Sequence, residues 1–406
     1  MNAQDRNSIL MDRLRWMASE PFRLFFFSGA LWSIVGASLW PLAYSGKLIL
    51  SPSPNIVHAR IMIEAFAGAF IVGFLGTAGP RLASAPPLTL MELAALFVLH
   101  QSIGFCHLAG ATALGDGMFA ALLLCLLASL VVRFIRFSDE NPPPAIALAM
   151  AGLLSGVVGA LLFILPGTIV DPARYRLAGL LLYQGFLLAP VLGIGSFFFP
   201  RILGGDFGEP QTPAEHRRRW ARAINVLLLL AASFAIEVRG LVQGQGLGPA
   251  GMVLRAVTAT AYLLLEVRWR RRPDGSPSGS LATGTGIALL SGLAGFLLAA
   301  RFYPIPPIRI SLEHLLYAGG FGLLMLMVAS RVLFGHSGDL EGFAKRSWFV
   351  RFLIFLGLLA ATTRASVAFL PQLTVSHHIY AAWSWVVLAA LWLGWHSRRF
   401  ITREPD

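Results

Sequence analysis

Within NIVHARIMIEAFAGAF, residues 55–70, His58, Arg60 and Glu64 fall inside seven positions at the head of an otherwise apolar run. His314 heads a second such run, and the pair His377–His378 a third. Neutral imidazole is a ligand for haem iron and for copper. No tight spacing such as H-E-x-x-H occurs, so any ligand set must be assembled from different elements. Arg60, Arg255 and Arg364 are cations inside or at the mouth of apolar segments, adding positive charge to the same half. Glu64 lies six residues past His58, about 9 Å along a helix. Arg364 reaches a similar depth, so a Glu64–Arg364 ion pair is expected, because an unpaired charge there would cost several kcal/mol. The plainer alternatives are wet interfacial histidines and a purely structural ion pair. His107 reads as interfacial and His100 as a hydrogen-bonded core histidine, while His216, His336 and His396 belong to the opposite end.

The elements that position these groups follow from composition. The chain of 406 residues is 56% hydrophobic and 13% charged, with a mean hydropathy of +0.69, which describes an all-α, polytopic membrane protein and not a soluble domain. The short alternating segments of a β-barrel are absent. Punctuation by Pro, Gly and Arg gives about twelve spans in one membrane domain over 1–406, near 22–44, 57–79, 88–109, 115–136, 144–165, 175–199, 220–238, 248–267, 280–300, 311–334, 348–370 and 375–396. The polar, basic N-terminus leads into a first run without a small-residue cleavage site, so that run is expected to be a retained span. Cys106 and Cys125 sit in apolar runs and lack metal-ligand spacing; they read as core.

A net charge of +12 does not indicate nucleic acid, because the basic residues lie between apolar runs and form no basic domain. Arg6, Arg13, Arg15 and Arg23 precede span 1; Arg133 and Arg136 follow span 4; Arg217, Arg218 and Arg219 precede span 7. Arg268, Arg270, Arg271 and Arg272 follow span 8, Lys345 and Arg346 follow span 10, and Arg398, Arg399 and Arg403 end the chain. The other set of loops has only Lys47, Arg174, Arg176, Arg239, Arg301 and Arg309. The positive-inside rule then places both termini in the cytoplasm, and His58, His314, His377 and His378 at the outer face. The segment RWRRRPDGSPSGSLATGTG reads as a flexible cytoplasmic connector. Spans 2 and 10 share a leading histidine, internal glycines and a closing arginine, a weak sign of internal repetition.

Three stretches carry a resemblance. VHARIM followed by AFAGAFIVGFLGTAGP, RISLEHLLYAGGFGLLMLMVASRVLFGHSG at 309–338, and EPFRLFFFSGALWSIVGASLW are similar to the NnrS family, bacterial polytopic proteins of the nitric oxide response that contain haem and copper. The resemblance carries His58, Met62, His314, Arg331, His336 and Gly338 over as family-type positions. It implies an inner-membrane protein that binds haem, and copper with less support, with nitric oxide or a similar small molecule as its ligand. Its candidate metal residues are His58, His314, His336, His377 and His378, and its candidate propionate cations Arg60, Arg255 and Arg364. The chain also departs from the family pattern: the second histidine of W-H-A-H-E-M falls on Arg60, its acidic neighbour on Ile61, and the arginine of G-G-R-V-I-P on Phe197. A guanidinium has no lone pair to offer a metal. A secondary transporter for a small anion is the alternative from another class, and a metal-free scaffold is a third. The sequence identifies no reaction.

Overall fold

A computed structural model describes residues 11–13, 15–138, 143–204, 212–243, 246–267, 279–339, 341, 345 and 347–401. Arg6, Arg268, Arg270, Arg271, Arg272, Arg346 and Arg403, and most of the connector after span 8, lie outside the described residues. Among those described there is no strand, and twelve helices are long and apolar enough to cross a membrane. They are α1 Pro21–Tyr44, α2 Pro54–Leu82, α3 Leu90–Leu108, α4 Thr112–Arg136, α5 Ala145–Ile164 and α6 Pro172–Leu203. The second half comprises α7 Pro213–Gln243, α8 Leu247–Glu266, α9 Ser280–Arg301, α10 Pro306–His336, α11 Trp348–Ser366 and α12 Pro371–Ile401.

Local chemistry explains several helix starts. Proline opens α1, α2, α6 and α10, where a missing N–H costs nothing and φ is already helical. Thr89 and Glu92 form a capping box on α3, and the Asp171 carboxylate accepts from the first N–H groups of α6. Between α3 and α4 the chain turns at Gly110, with φ +80, against the Ser51 carbonyl, where a Cβ has no room.

The helices form three consecutive groups of four: α1–α4, α5–α8 and α9–α12. In each group the first helix packs along the second and the third pairs with the fourth; α4 meets α5, α8 meets α9, and α12 returns to α1 to close a ring. The second helices, α2, α6 and α10, fill the middle, with 89, 72 and 72% of their apolar windows buried. Each of these three changes to π-helical winding after an initial α segment of seven, eight and nine residues respectively, at Ile61–Ala67, Leu180–Gly185 and Leu315–Gly322. Such segments leave carbonyls that need donors from neighbouring helices. Ser155 on α5 donates to the Leu181 carbonyl and Ser291 on α9 to that of Leu315, each at 2.9 Å. His100 on α3 donates from Nε2 to the Ala65 carbonyl at 2.7 Å.

The same serines belong to a short repeat. SGVVGA at 155–160 and SGLAGF at 291–296 match WSIVGA at 32–37 in position within their groups. A Cβ on Gly159 would come within 2.6 Å of the Leu182 nitrogen, one on Gly295 within 2.5 Å of the Leu316 nitrogen, and one on Gly36 within 2.9 Å of Ile61 and Met62. Small residues thus bring the first helix of each group against the π segment of the second. The repetition is threefold, wider than the likeness of spans 2 and 10 alone.

At one end of the ring Tyr44 at the close of α1 meets His378 near the start of α12. At the other end Phe27 meets Phe400. The first of these is called the mouth end below; it gathers the starts of even-numbered helices and the ends of odd-numbered ones.

Candidate functional site

Each four-helix group holds a polar cluster near the mouth end, beside its π segment, and each cluster is completed by a residue from the central helix of the next group.

In the first group, Arg60 of α2 binds Asp116 of α4 through Nε at 2.6 Å and Nη2 at 3.4 Å. Arg60 also donates to the Tyr183 hydroxyl from α6, and its guanidinium carbon lies 3.9 Å from the Phe163 ring centroid. Glu64, one turn further on, has Oε1 at 3.5 Å from Arg60 Nε and Oε2 at 2.8 Å from Nε2 of His107 on α3. Glu64, His107 and Asp116 bring one ligand-type atom each within 4.8 Å of the others. All four ionisable residues are buried.

In the second group, Arg255 of α8 is completely buried and binds Glu237 of α7 at 2.7 Å, Ser233 at 3.3 Å and Gln184 of α6. Arg176 of α6 binds the other Glu237 oxygen, at 2.9 Å from Nε, and reaches Glu313 of α10 at 3.3 Å. Arg309 of α10 lies 3.8 Å from Glu313, so three guanidinium groups face two carboxylates. Gln184 donates in turn to the Tyr317 hydroxyl of α10 at 3.3 Å.

The third group collects the histidines. His314 of α10, Arg364 of α11, His378 of α12 and His58 of α2 lie within electrostatic reach of one another. Nδ1–H of His58 donates to the Gly36 carbonyl at 2.9 Å, and Nδ1–H of His314 to the Ile310 carbonyl at 2.8 Å. A carbonyl can only accept, so these bonds fix the tautomer: in the neutral ring Nε2 carries the lone pair. His378 bonds the Tyr44 hydroxyl through Nδ1 at 2.8 Å, and its buried Nε2 has no hydrogen-bond partner. The Trp40 ring stands between two of them, with centroids 5.9 Å from His58 and 4.9 Å from His378. Arg364 donates to the Ser311 hydroxyl at 3.0 Å, and among the described residues no carboxylate lies within ion-pair distance of it.

Set against the sequence-based expectations, this arrangement joins His58, His314, His378 and Arg364 and separates others from them. The Glu64–Arg364 pair does not form. Depth along a helix is one coordinate only, and Glu64 faces α3 and α4 while Arg364 lies across the ring on α11. Arg60 and Arg255 are neutralised by Asp116, Glu64 and Glu237, which leaves them poor holders of a propionate. His336 sits at the far end of α10, 22 residues and about 33 Å beyond His314; Nδ1–H donates to the Val332 carbonyl and Nε2 accepts from Arg81 at 2.5 Å. His377 turns outward, bonded to the Leu373 carbonyl beside Tyr380. His107 is no wet interfacial residue but a fully buried partner of Glu64, and Arg176, counted above as a loop charge, is drawn into the second cluster. His100 is the hydrogen-bonded core histidine its depth suggests.

Sequence reasoning passed over Asp116, Tyr183, Gln184, Glu237 and Glu313. Asp116 and Glu237 lie inside apolar runs, where a carboxylate is costly enough to announce a partner; that signal was present.

A search of curated proteins gives no match. The family model described as NnrS protein matches residues 17–403, nearly the whole length, and covers all three four-helix groups. The chain therefore belongs to the NnrS family.

Proposed function

We propose that this protein binds haem in the histidine cluster at the mouth end and acts in the nitric oxide or nitrosative-stress response of a bacterial inner membrane. The observation that carries the reading is the paired engagement of Nδ1 by backbone carbonyls on His58 and His314. It leaves two Nε2 lone pairs uncommitted, the arrangement of a metal-ligating imidazole whose second nitrogen is held by an outer partner. His378, with an unpartnered Nε2, is the third candidate. The residues fit a haem in two further respects: Arg364 has no carboxylate to neutralise it and is free for a propionate, and Trp40 and Tyr44 provide aromatic walls. Haem would supply an iron able to take a small ligand such as nitric oxide. The chain's own part is to fix imidazole orientation, offer one cation and exclude water. Charge bias of the loops supports a mouth facing outward and termini in the cytoplasm.

Copper has less support, because the close triad of ligand-type atoms among the described residues is Glu64, His107 and Asp116, not the three imidazoles. The anion-transporter alternative is weakened by the neutralised Arg60 and Arg255. The direct test is titration of the detergent-purified chain with haem, followed by absorption spectroscopy and metal analysis. A stoichiometric Soret band supports the reading; none after haem supplementation removes it.

A further inference from the structure

The first cluster does not balance its charges. Arg60 contributes one positive charge and Asp116 and Glu64 one negative charge each, so with neutral His107 the site carries a net −1 among buried groups. Among the described residues the other helices packed here bring no further guanidinium or ammonium group, and α3 adds His100, whose Nε2 donates to the Ala65 carbonyl. α5 contributes the Phe163 ring and α6 the neutral Tyr183 hydroxyl; α1 has no ionisable side chain between Arg23 and Tyr44; α12 touches this region through Trp385 on Phe66. An uncompensated charge in such a place is strongly unfavourable.

A metal ion would be one way to close the deficit, and Glu64, His107 and Asp116 have ligand-type atoms close enough for it. The Arg60 guanidinium, however, already sits 2.6 Å from an Asp116 oxygen and 3.5 Å from a Glu64 oxygen, and would repel a second cation. A proton needs no coordination shell and meets no such obstacle. Asp116 accepts from Arg60 through both oxygens, and its carboxyl also lies within hydrogen-bond reach of the Glu64 carboxyl, so any proton held here is shared in a site that Asp116 borders. Glu64 and His107 share the 2.8 Å Oε2–Nε2 bond, and Glu64 Oε1 and His107 Nδ1 have no hydrogen-bond partner.

We propose that Glu64 and His107 together form a proton-binding site inside the membrane, holding one exchangeable proton with Arg60 acting as a built-in cation in place of a metal. With the proton bound, Nδ1 of His107 carries a hydrogen and a second hydrogen lies in the Glu64–His107 bond; the site is neutral. On release to water Nδ1 is left bare, Nε2–H donates to the Glu64 carboxylate, and the site carries one negative charge.

The test is pH-difference infrared spectroscopy of the full chain in lipid vesicles, with glutamate carboxyls and histidine rings isotopically labelled. Charge counting makes the outcomes specific. Wild type shows one buried carboxyl–imidazole titration; Glu64→Gln abolishes it. Asp116→Asn abolishes it too, although it leaves the Glu64–His107 bond untouched, because Arg60 then balances Glu64 alone. Arg60→Gln binds a second proton. If Asp116→Asn does not fold, Glu64→Gln and Arg60→Gln still decide. No difference between wild type and Glu64→Gln, a titration retained in folded Asp116→Asn, or one metal ion per chain lost in Glu64→Gln would each overturn the proposal.

Discussion

The first and third clusters occupy corresponding places in their four-helix groups, yet one is closed and the other open. Arg60, Asp116, Glu64 and His107 are tied to one another by contacts of 2.6–3.5 Å, with the Tyr183 hydroxyl accepting from Arg60, so every charge has a partner even though Glu64 Oε1 and His107 Nδ1 lack a hydrogen bond. Across the ring, Arg364 has a single hydroxyl acceptor from Ser311, and His58 and His314 spend one nitrogen on a carbonyl and keep the other. A cluster whose charges pair with one another holds helices together; one that keeps imidazole lone pairs and an unneutralised cation has the groups that the proposed haem site needs. The second cluster, in which Arg176, Arg255 and Arg309 all find a glutamate, falls on the closed side. Depth and residue type alone did not separate these cases, because all three clusters contain an arginine at similar distance from the mouth.

Substitutions at the two ends of this contrast should behave differently, and the largest effect on stability is expected in the closed cluster. Arg60→Ala leaves Asp116 unpaired and buried and should cost about 3–5 kcal/mol, seen as a fall in unfolding temperature or in resistance to denaturing detergent. Arg255→Ala in the second cluster should cost a comparable amount by leaving Glu237 half-compensated; a small loss in either would mean that these clusters are not structural locks. Next come the glycines that admit the π segments. Gly159→Leu and Gly295→Leu force side chains into the backbone of Leu182 and Leu316 and should destabilise by about 1–3 kcal/mol or more, whereas Gly394→Leu, with nothing near its Cβ, should be close to neutral in the same assay. In the open cluster Arg364→Gln should change stability by about 1 kcal/mol or less, since it breaks one hydroxyl contact, and should weaken haem retention measurably in a competition assay. Smallest is Tyr44→Phe: about 0.5 kcal/mol for the lost bond to His378, with a shifted spectrum only if His378 is a ligand.

Twelve helices could be read from the sequence because each apolar run must satisfy its own backbone bonds in hydrocarbon. Family membership could be read too, from ASRVLFGHSG and the stretch around His58. What hydropathy does not record is azimuth. Glu64 and Arg364 matched in depth but face different neighbours, and His58 meets His378 only because α12 closes back on α1. The π segments were hidden for a related reason: their sequences, such as LLYAGGFG, are as apolar as any α-helix, and the extra residue per turn shows only in the donors supplied by Ser155, Ser291 and His100. The threefold repeat was present as WSIVGA, SGVVGA and SGLAGF, but six-residue likenesses separated by three helices gain meaning only once their positions against the π segments are known.

The central claim is that imidazole Nε2 atoms at the mouth end, and not histidines elsewhere, hold the haem. Haem titration of His58→Ala, His314→Ala and His336→Ala beside the wild type tests it most directly. The expected result is a Soret band retained in wild type and His336→Ala, and abolished or changed in ligation by His58→Ala and His314→Ala, with all four proteins folded. An unchanged band in both mouth-end variants, or its loss in His336→Ala alone, would contradict the account.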